Sequence, residues 1–308
     1  MGTTVRKRQR GVAVVLAMGV VALAAIAAAA MLASQSTWAR HAELTSEHVQ
    51  AQALVQAGVD WARALLSDDR LVSSADHLGE PWAMRLPPVP VDNGELAGQI
   101  DDQQGLFNLN NLVRSGAASP AHLAQFRRLL QILALPEALA ASLVDWLDAD
   151  NEPQPQGGAE DAYYQAQQPP YLAANRALTD VAELALVRGF DAGVRAQLRP
   201  FVTALPRFTA VNVNTAPPEV LSAVIEGLDL DGARDLVAQR SRAYFRNRAD
   251  FLAQLPAGAE AGGNDVATSS DFFQASMRVT IGGAQARGIA LLVRDSAGWP
   301  AVVWRKFP

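Results

Sequence analysis

The sequence predicts an α+β protein: a long N-terminal helix on a small antiparallel sheet, with a large helical region inserted between strands. Three observations carry this. An uncharged apolar run leads into apolar residues at helical spacing, with no proline between residues 12 and 69. The C-terminal end alternates apolar and polar side chains with a period of two. Between these ends, residues 108–257 read as helices with recurrent caps and proline breaks.

The N-terminal element comes first. Arg6, Lys7, Arg8 and Arg10 precede Gly11, and an uncharged run follows from Val12 to Ala33. That run is about 22 residues, enough to cross a hydrocarbon core of roughly 30 Å. A secretory signal has a shorter apolar core, roughly 7–15 residues. The basic residues place the N-terminus in the cytoplasm and the body on the far side. A cleaved secretory signal, an uncut anchor and cleavage between Gly11 and Val12 all fit. The order of charge, glycine and apolar run favours the third.

Trp38, His41, Thr45, Val49, Leu54, Val55, Val59, Ala62 and Leu66 continue the helical spacing. One helix of about 55 residues would be about 80 Å long. Its first half is apolar all round, and its second half needs a soluble domain over its apolar stripe. Two helices meeting near residues 34–37 are the alternative.

Residues 68–93 read as a loop, with Pro81, Pro87, Pro88 and Pro90. Leu96, Gly98 and Ile100 alternate ahead of the polar turn 101–105, which predicts a strand pair within residues 95–107. Pro120, Pro136, the loop 151–158, Pro200 and Pro206 divide the helical region, and a second unit opens at Asn212. Phe273, Ala275, Met277, Val279 and Ile281 alternate with Gln274, Ser276, Arg278 and Thr280. Gly282-Gly283, the run 289–294, the turn Asp295-Ser296-Ala297-Gly298 and the run 301–305 complete a three-stranded meander.

Composition sets limits. The 308 residues leave room for two or three small domains, and the formal net charge is −5. Removing residues 1–11 leaves about −9, which argues against general nucleic-acid binding and suits cations. The absence of cysteine excludes disulfides and thiolate metal sites. His41, His48, His77 and His122 show no ligand spacing and read as surface residues.

One loop concentrates negative charge. Asp145, Asp148 and Asp150 are followed by Glu160 and Asp161, and no apolar side chain other than proline occurs in 151–158. Asp145 ends an apolar helical stretch, where the helix dipole disfavours a carboxylate. Calcium would compensate, because it takes six to eight oxygen ligands. The spacing is not that of an EF-hand. A solvated acidic loop with capping aspartates is the other reading. Nothing nearby supplies a nucleophile or oxyanion site, so a catalytic pair is disfavoured.

A second segment looks like a nucleic-acid module. Val211-Asn212-Val213-Asn214-Thr215-Ala216 precedes Pro217, Pro218 and Glu219, and Asn214 or Thr215 is positioned to cap a helix. The unit resembles the helix-hairpin-helix of DNA-binding and DNA-uptake proteins. Its hairpin, residues 225–232, has Gly227 where a close glycine pair should be, plus Glu226, Asp229 and Asp231. Those carboxylates repel phosphate, although Arg234, Arg240, Arg242, Arg246 and Arg248 make the following segment basic. A protein-packing role is favoured over a membrane-anchored DNA-uptake role.

Arg10-Gly11 followed by Val12-Ala13-Val14-Val15-Leu16 resembles the type IV pilin-like leader. The resemblance implies cleavage after Gly11 by a prepilin peptidase and N-methylation of Val12. The family's usual glutamate at the fifth mature position is here Leu16. That departure suits a subunit with no neighbour above it.

Residues 101–112, 145–150, 158–164, 170–175, 178–184 and 211–216 are similar to the K-type minor pseudopilins of type II secretion. The resemblance spans nearly the whole chain. It implies a pseudopilin fold, with an inserted all-α region of two SAM-like, helix-hairpin-helix-like units. The implied divisions are leader 1–11, membrane helix 12–33, periplasmic helix 34–67 and first strands 68–107. The helical units fall at 108–205 and 206–265, and the last strands at 266–308. It implies structural calcium, with Asp145, Asp148, Asp150, Glu160 and Asp161 as candidate ligands. It also implies a structural subunit rather than an enzyme, single-pass in the bacterial inner membrane with a periplasmic body. The implied partners are other minor pseudopilins at the tip of the periplasmic pseudopilus, the prepilin peptidase and the inner-membrane assembly platform. No nucleic-acid partner is expected. The implied task is to initiate or cap the pseudopilus and so support export of folded proteins across the outer membrane.

Overall fold

A computed structural model describes residues 9–294 and 298–308, with side chains from residue 11 onward. The basic leader up to residue 8 and the turn positions Asp295, Ser296 and Ala297 lie outside the described residues. Helix α1 runs unbroken over Gln9–Val72, 64 residues. At 1.5 Å per residue it is about 96 Å long. No break occurs near residues 34–37. Its membrane half is exposed on every side, as an element built for a lipid solvent requires.

The body half is covered on one face. Five antiparallel strands form a single sheet in chain order: β1 (Leu86–Val91), β2 (Gly94–Asp102), β3 (Phe272–Ile281), β4 (Ala284–Val293) and β5 (Ala301–Lys306). Ala51, Val55, Val59, Ala62 and Leu66 of α1 pack on Phe273, Ala275, Met277, Val279, Ala290 and Leu292. Each of these residues is nearly or wholly buried, so the period-two strands and the helical stripe close on one another. Glycines allow the close approach, and at Gly288 a Cβ would lie 2.2 Å from Val55 of α1. A Cβ at Gly58 would lie 3.0 Å from the Met277 sulfur, and one at Gly98 only 2.4 Å from it. Met277 fills the space that both residues leave.

The proline-rich segment differs from the expected loop. Leu86–Val91 is a strand despite Pro87, Pro88 and Pro90. It lies at the sheet edge, paired only with β2, so the missing amides need no partner on the open side. The prolines also block addition of a foreign strand.

The chain from residue 103 to 271 is the insertion, entered from β2 and left into β3. It contains α2 (Pro120–Ile132), α3 (Ala138–Leu147), α4 (Asp161–Gln165), α5 (Ala192–Leu198), α6 (Pro218–Val224), α7 (Leu230–Arg240) and α8 (Arg248–Leu252). It also contains three two-residue strand pairs, two of them parallel: 107–108 with 202–203, and 211–212 with 266–267. These short ladders tie the ends of the helical region together. One apolar core runs from Phe107 to Val266 and includes Phe126, Leu143, Trp146, Tyr164, Leu221 and Phe251.

Candidate metal centre

Helix α3 is apolar nearly all round and is buried through Leu139, Leu143, Val144, Trp146 and Leu147. That burial brings Asp145, fully inaccessible, and the C-cap residue Asp148 below the surface. The loop then turns back through Gln156 and Gly157, both at positive φ. Gly158 passes Asp145 so closely that a Cβ there would sit 2.3 Å from its Oδ2. Glu160 is the N-cap residue of α4, yet its carboxylate makes no capping bond.

The five candidate carboxylates separate into two groups. Asp148, Asp150 and Glu160 each bring an oxygen within 4.8 Å of the others. Asp145 accepts the Gln154 amide on both oxygens, at 3.0 and 3.1 Å. Asp161 accepts the Ala173 amide at 3.0 Å, and its own amide donates to Asn151 Oδ1. The first group converges; Asp145 and Asp161 fasten the loop around it.

Two of the three converging carboxylates lack donors, whereas Asp150 accepts the Glu152 amide at 2.9 Å. Asp148 Oδ1 and both Glu160 oxygens are buried with no hydrogen-bond partner among the described residues. A buried polar atom left in this state costs about 1–3 kcal/mol, more when charged. Burial, then repulsion from Asp150 and Asp145, pushes Asp148 up to about 6. Burial, then repulsion from Asp145, Asp148 and Asp150, pushes Glu160 up to about 7. Oxygen donors at this mutual spacing suit a hard dication, whose ligand distances are roughly 2.3–2.6 Å for calcium. The residues present therefore fit calcium. Bound there, it would supply charge compensation and rigidity to the loop.

A second acidic group is compensated from within. Asp69, Asp76 and Glu80 cluster at the end of α1. Arg294 reaches into them from the end of β4, donating to Asp69 Oδ2 at 2.9 Å and, through Nη2, to Asp76. It also donates to the Leu66 and Ser270 carbonyls. Sequence reasoning missed this network. The available signal was a lone arginine closing the apolar run 289–293.

The hairpin resembling a DNA-binding module is occupied by the protein itself. Glu226 and Glu260 exchange backbone hydrogen bonds at 2.9 and 2.8 Å. Gly227, at positive φ, leaves no room for a side chain beside the Gly258 carbonyl, 2.3 Å from a Cβ. The expected caps are also used elsewhere. Helix α6 has Pro217 at its N-cap. Asn214 instead binds both the amide and the carbonyl of Phe245, and Thr215 donates to Asp102. Burial of Asn214 makes distant backbone groups better partners than a helix end. His122 corrects the expectation of surface histidines: it is 8% exposed, paired with Ser119 and near Asp265. Gly11 and Val12 lie on the exposed start of α1.

A long helix, half bare and half packed on an antiparallel sheet, defines a pilin-like membrane subunit. Comparison with known proteins gives the family. Two family models for type II secretion system (T2SS), protein K match residues 105–207 and 211–270. A type II secretion system protein K from Pseudomonas aeruginosa is 37% identical, over 95% of this chain and 91% of its own. One from Klebsiella pneumoniae is 35% identical, over 97% of each. Among solved structures, GspK in a GspK-GspI-GspJ complex from enterotoxigenic Escherichia coli matches with a TM-score of 0.78 and 28% identity. That match covers 87% of this chain and 99% of the solved one. The chain belongs to the type II secretion system protein K family, and it is a minor pseudopilin of type II secretion.

Proposed function

We propose that this subunit works by assembly, not catalysis, joining other minor pseudopilins at the tip of the periplasmic pseudopilus. A prepilin peptidase cuts between Gly11 and Val12, and Val12 becomes the N-methylated mature terminus. The apolar half of α1 is held in the inner membrane, N-terminus cytoplasmic and body periplasmic, until the assembly platform engages it. The observation that carries this reading is α1 itself. Its exposed apolar half, Val12 at 61% and Leu16 at 65% exposed, has no cover in the body and needs lipid or partner helices.

Leu16 supports a terminal position. An unpaired carboxylate in a bilayer is costly, and a subunit that receives no neighbour above it has no ammonium to pair with one. The bulk of the insertion beside a slender helix also favours a tip. Calcium held by Asp148, Asp150 and Glu160, with Asp145 and Asp161 bracing the loop, would stiffen that insertion. The relative's presence in a complex with GspI and GspJ supports two further minor pseudopilins as direct partners.

Co-purification tests the reading. The tagged full chain is coexpressed in membranes with the other minor pseudopilins of its secretion system, solubilised and captured. A stoichiometric complex is expected. Capture of the tagged chain alone, with the partners expressed and folded, would refute it.

A further inference from the structure

The helix carries its own depth gauge beyond the apolar run. Arg40 is the first charged residue after Arg10, so an uncharged stretch separates two arginines. On an unbroken helix their Cα atoms are about 45 Å apart. A bilayer including its headgroups measures about 40–45 Å. Trp38, five residues past Ala33, stands about 7.5 Å beyond the end of the run, at the outer edge of the headgroup layer. Its indole is 76% exposed. Arg40, His41, Ser36 and Thr37 share the adjoining surface, with Trp38 on the next flank.

Among the described residues, nothing in the body covers this belt. The β3–β4 hairpin tip first meets α1 at Leu44, beside Gly283, and the Gly283 amide donates to Glu47 at 3.0 Å. The first fully buried residue of α1 is Ala51. Glu47 is nine residues beyond Trp38, about 13 Å along the helix. An amphipathic indole beside a cation is the side-chain pair favoured at a membrane surface, and a cation there is attracted to anionic lipid.

We propose that Trp38 and Arg40 form a headgroup-binding belt for anionic phospholipid on the body side of the membrane. The belt fixes the depth of α1 and holds the nearest part of the body, at Leu44, about 9 Å further along the helix. The belt acts with the apolar run to set the register of the helix, and it is a charged anchor that cleavage at Gly11 leaves in place. Extraction of the subunit into a filament must break it. The proposal rests on the reading that residues 12–33 span the bilayer.

The chain has no cysteine, so single nitroxide labels can be placed cleanly. The full-length chain carrying Ala24→Cys, Ala39→Cys or Ser46→Cys is reconstituted in phosphatidylcholine vesicles containing phosphatidylglycerol. Depth is read from collision with oxygen and with a water-soluble nickel complex. Position 24 should read as hydrocarbon, 39 as headgroup and 46 as water. Adding Trp38→Ala and Arg40→Glu should move position 39 by about one turn, roughly 5 Å. Repeating this in phosphatidylcholine alone should leave only the smaller Trp38 contribution. A water-exposed label at 24 would refute the spanning reading itself. With 24 buried, a label at 39 deep in hydrocarbon or free in water would overturn the belt, as would an unchanged depth in the double variant.

Discussion

Asn212 donates a hydrogen bond to Asp102 at 2.9 Å, tying the end of β2 to the middle of the insertion. Thr215, Ser270 and the Gln104 amide donate to the same carboxylate. The joint between pilin body and insertion therefore combines this largely buried polar knot with an apolar contact of Leu205 on Phe272 and Leu291. Such knots are sensitive to protonation and to loss of a single member.

The knot predicts a pH dependence. Burial dominates and pushes Asp102 up to about 6, against the donors that lower it. A folded-state value above the unfolded one favours the protonated fold. That contribution is complete below the ordinary carboxylate range and is lost as pH rises through about 6. Asp69, raised by burial to about 6, acts in the same direction. Thermal melting of the chain in chelator should show a falling Tm from pH 4.5 to pH 7. Asp102→Asn should flatten, but not abolish, that fall; an unaltered slope would count against this account.

Arg294 is the sole guanidinium described among three buried or half-buried carboxylates, and it is 4% exposed. Removing one partner of a buried ion pair strands the other charges, at a cost of about 3–5 kcal/mol. Arg294→Met should lower the urea midpoint accordingly at pH 7. The loss should shrink at pH 4.5, where Asp69 and Asp76 are protonated more readily.

The proposed calcium site predicts opposite effects with and without the ion. Asp148→Asn with Glu160→Gln removes two repelling buried charges. In chelator the double variant should melt at the same temperature as the parent, or higher. Added calcium should raise the Tm of the parent and leave the double variant unchanged, because binding to the folded form stabilises by mass action. A calcium-induced rise that survives both substitutions would place the ion elsewhere.

Much of the fold was legible because two periodicities are clean. The 3.6-residue stripe from Val55 to Leu66 and the alternation from Phe273 to Ile281 meet in one core, whereas Trp38, His41, Thr45 and Val49, expected on the same stripe, are exposed. The acidic loop was legible as a cluster, but the division of labour within it was not. Only the folded loop shows that Asp145 and Asp161 face backbone amides while Asp148 and Glu160 do not. The strand 86–91 was hidden by its prolines, since its place at the sheet edge is a tertiary fact. Asn214 and Thr215 look like caps locally; their real partners, Phe245 and Asp102, are 31 and 113 residues away.

Glycine at the hairpin provides a local check. Gly227→Ala forces a side chain into the Gly258 carbonyl and an unfavourable φ, so it should cost about 1–3 kcal/mol. Urea denaturation of the variant measures it. Gly263→Ala, where a Cβ meets nothing within 4 Å, is the matched control.

The most direct test of the pseudopilin assignment is the mass of the mature N-terminus. The full chain is coexpressed with an active prepilin peptidase, and its N-terminal peptide is measured by mass spectrometry. The account predicts a chain beginning at Val12 and carrying one methyl group. An intact Gly11-Val12 bond under those conditions would contradict it.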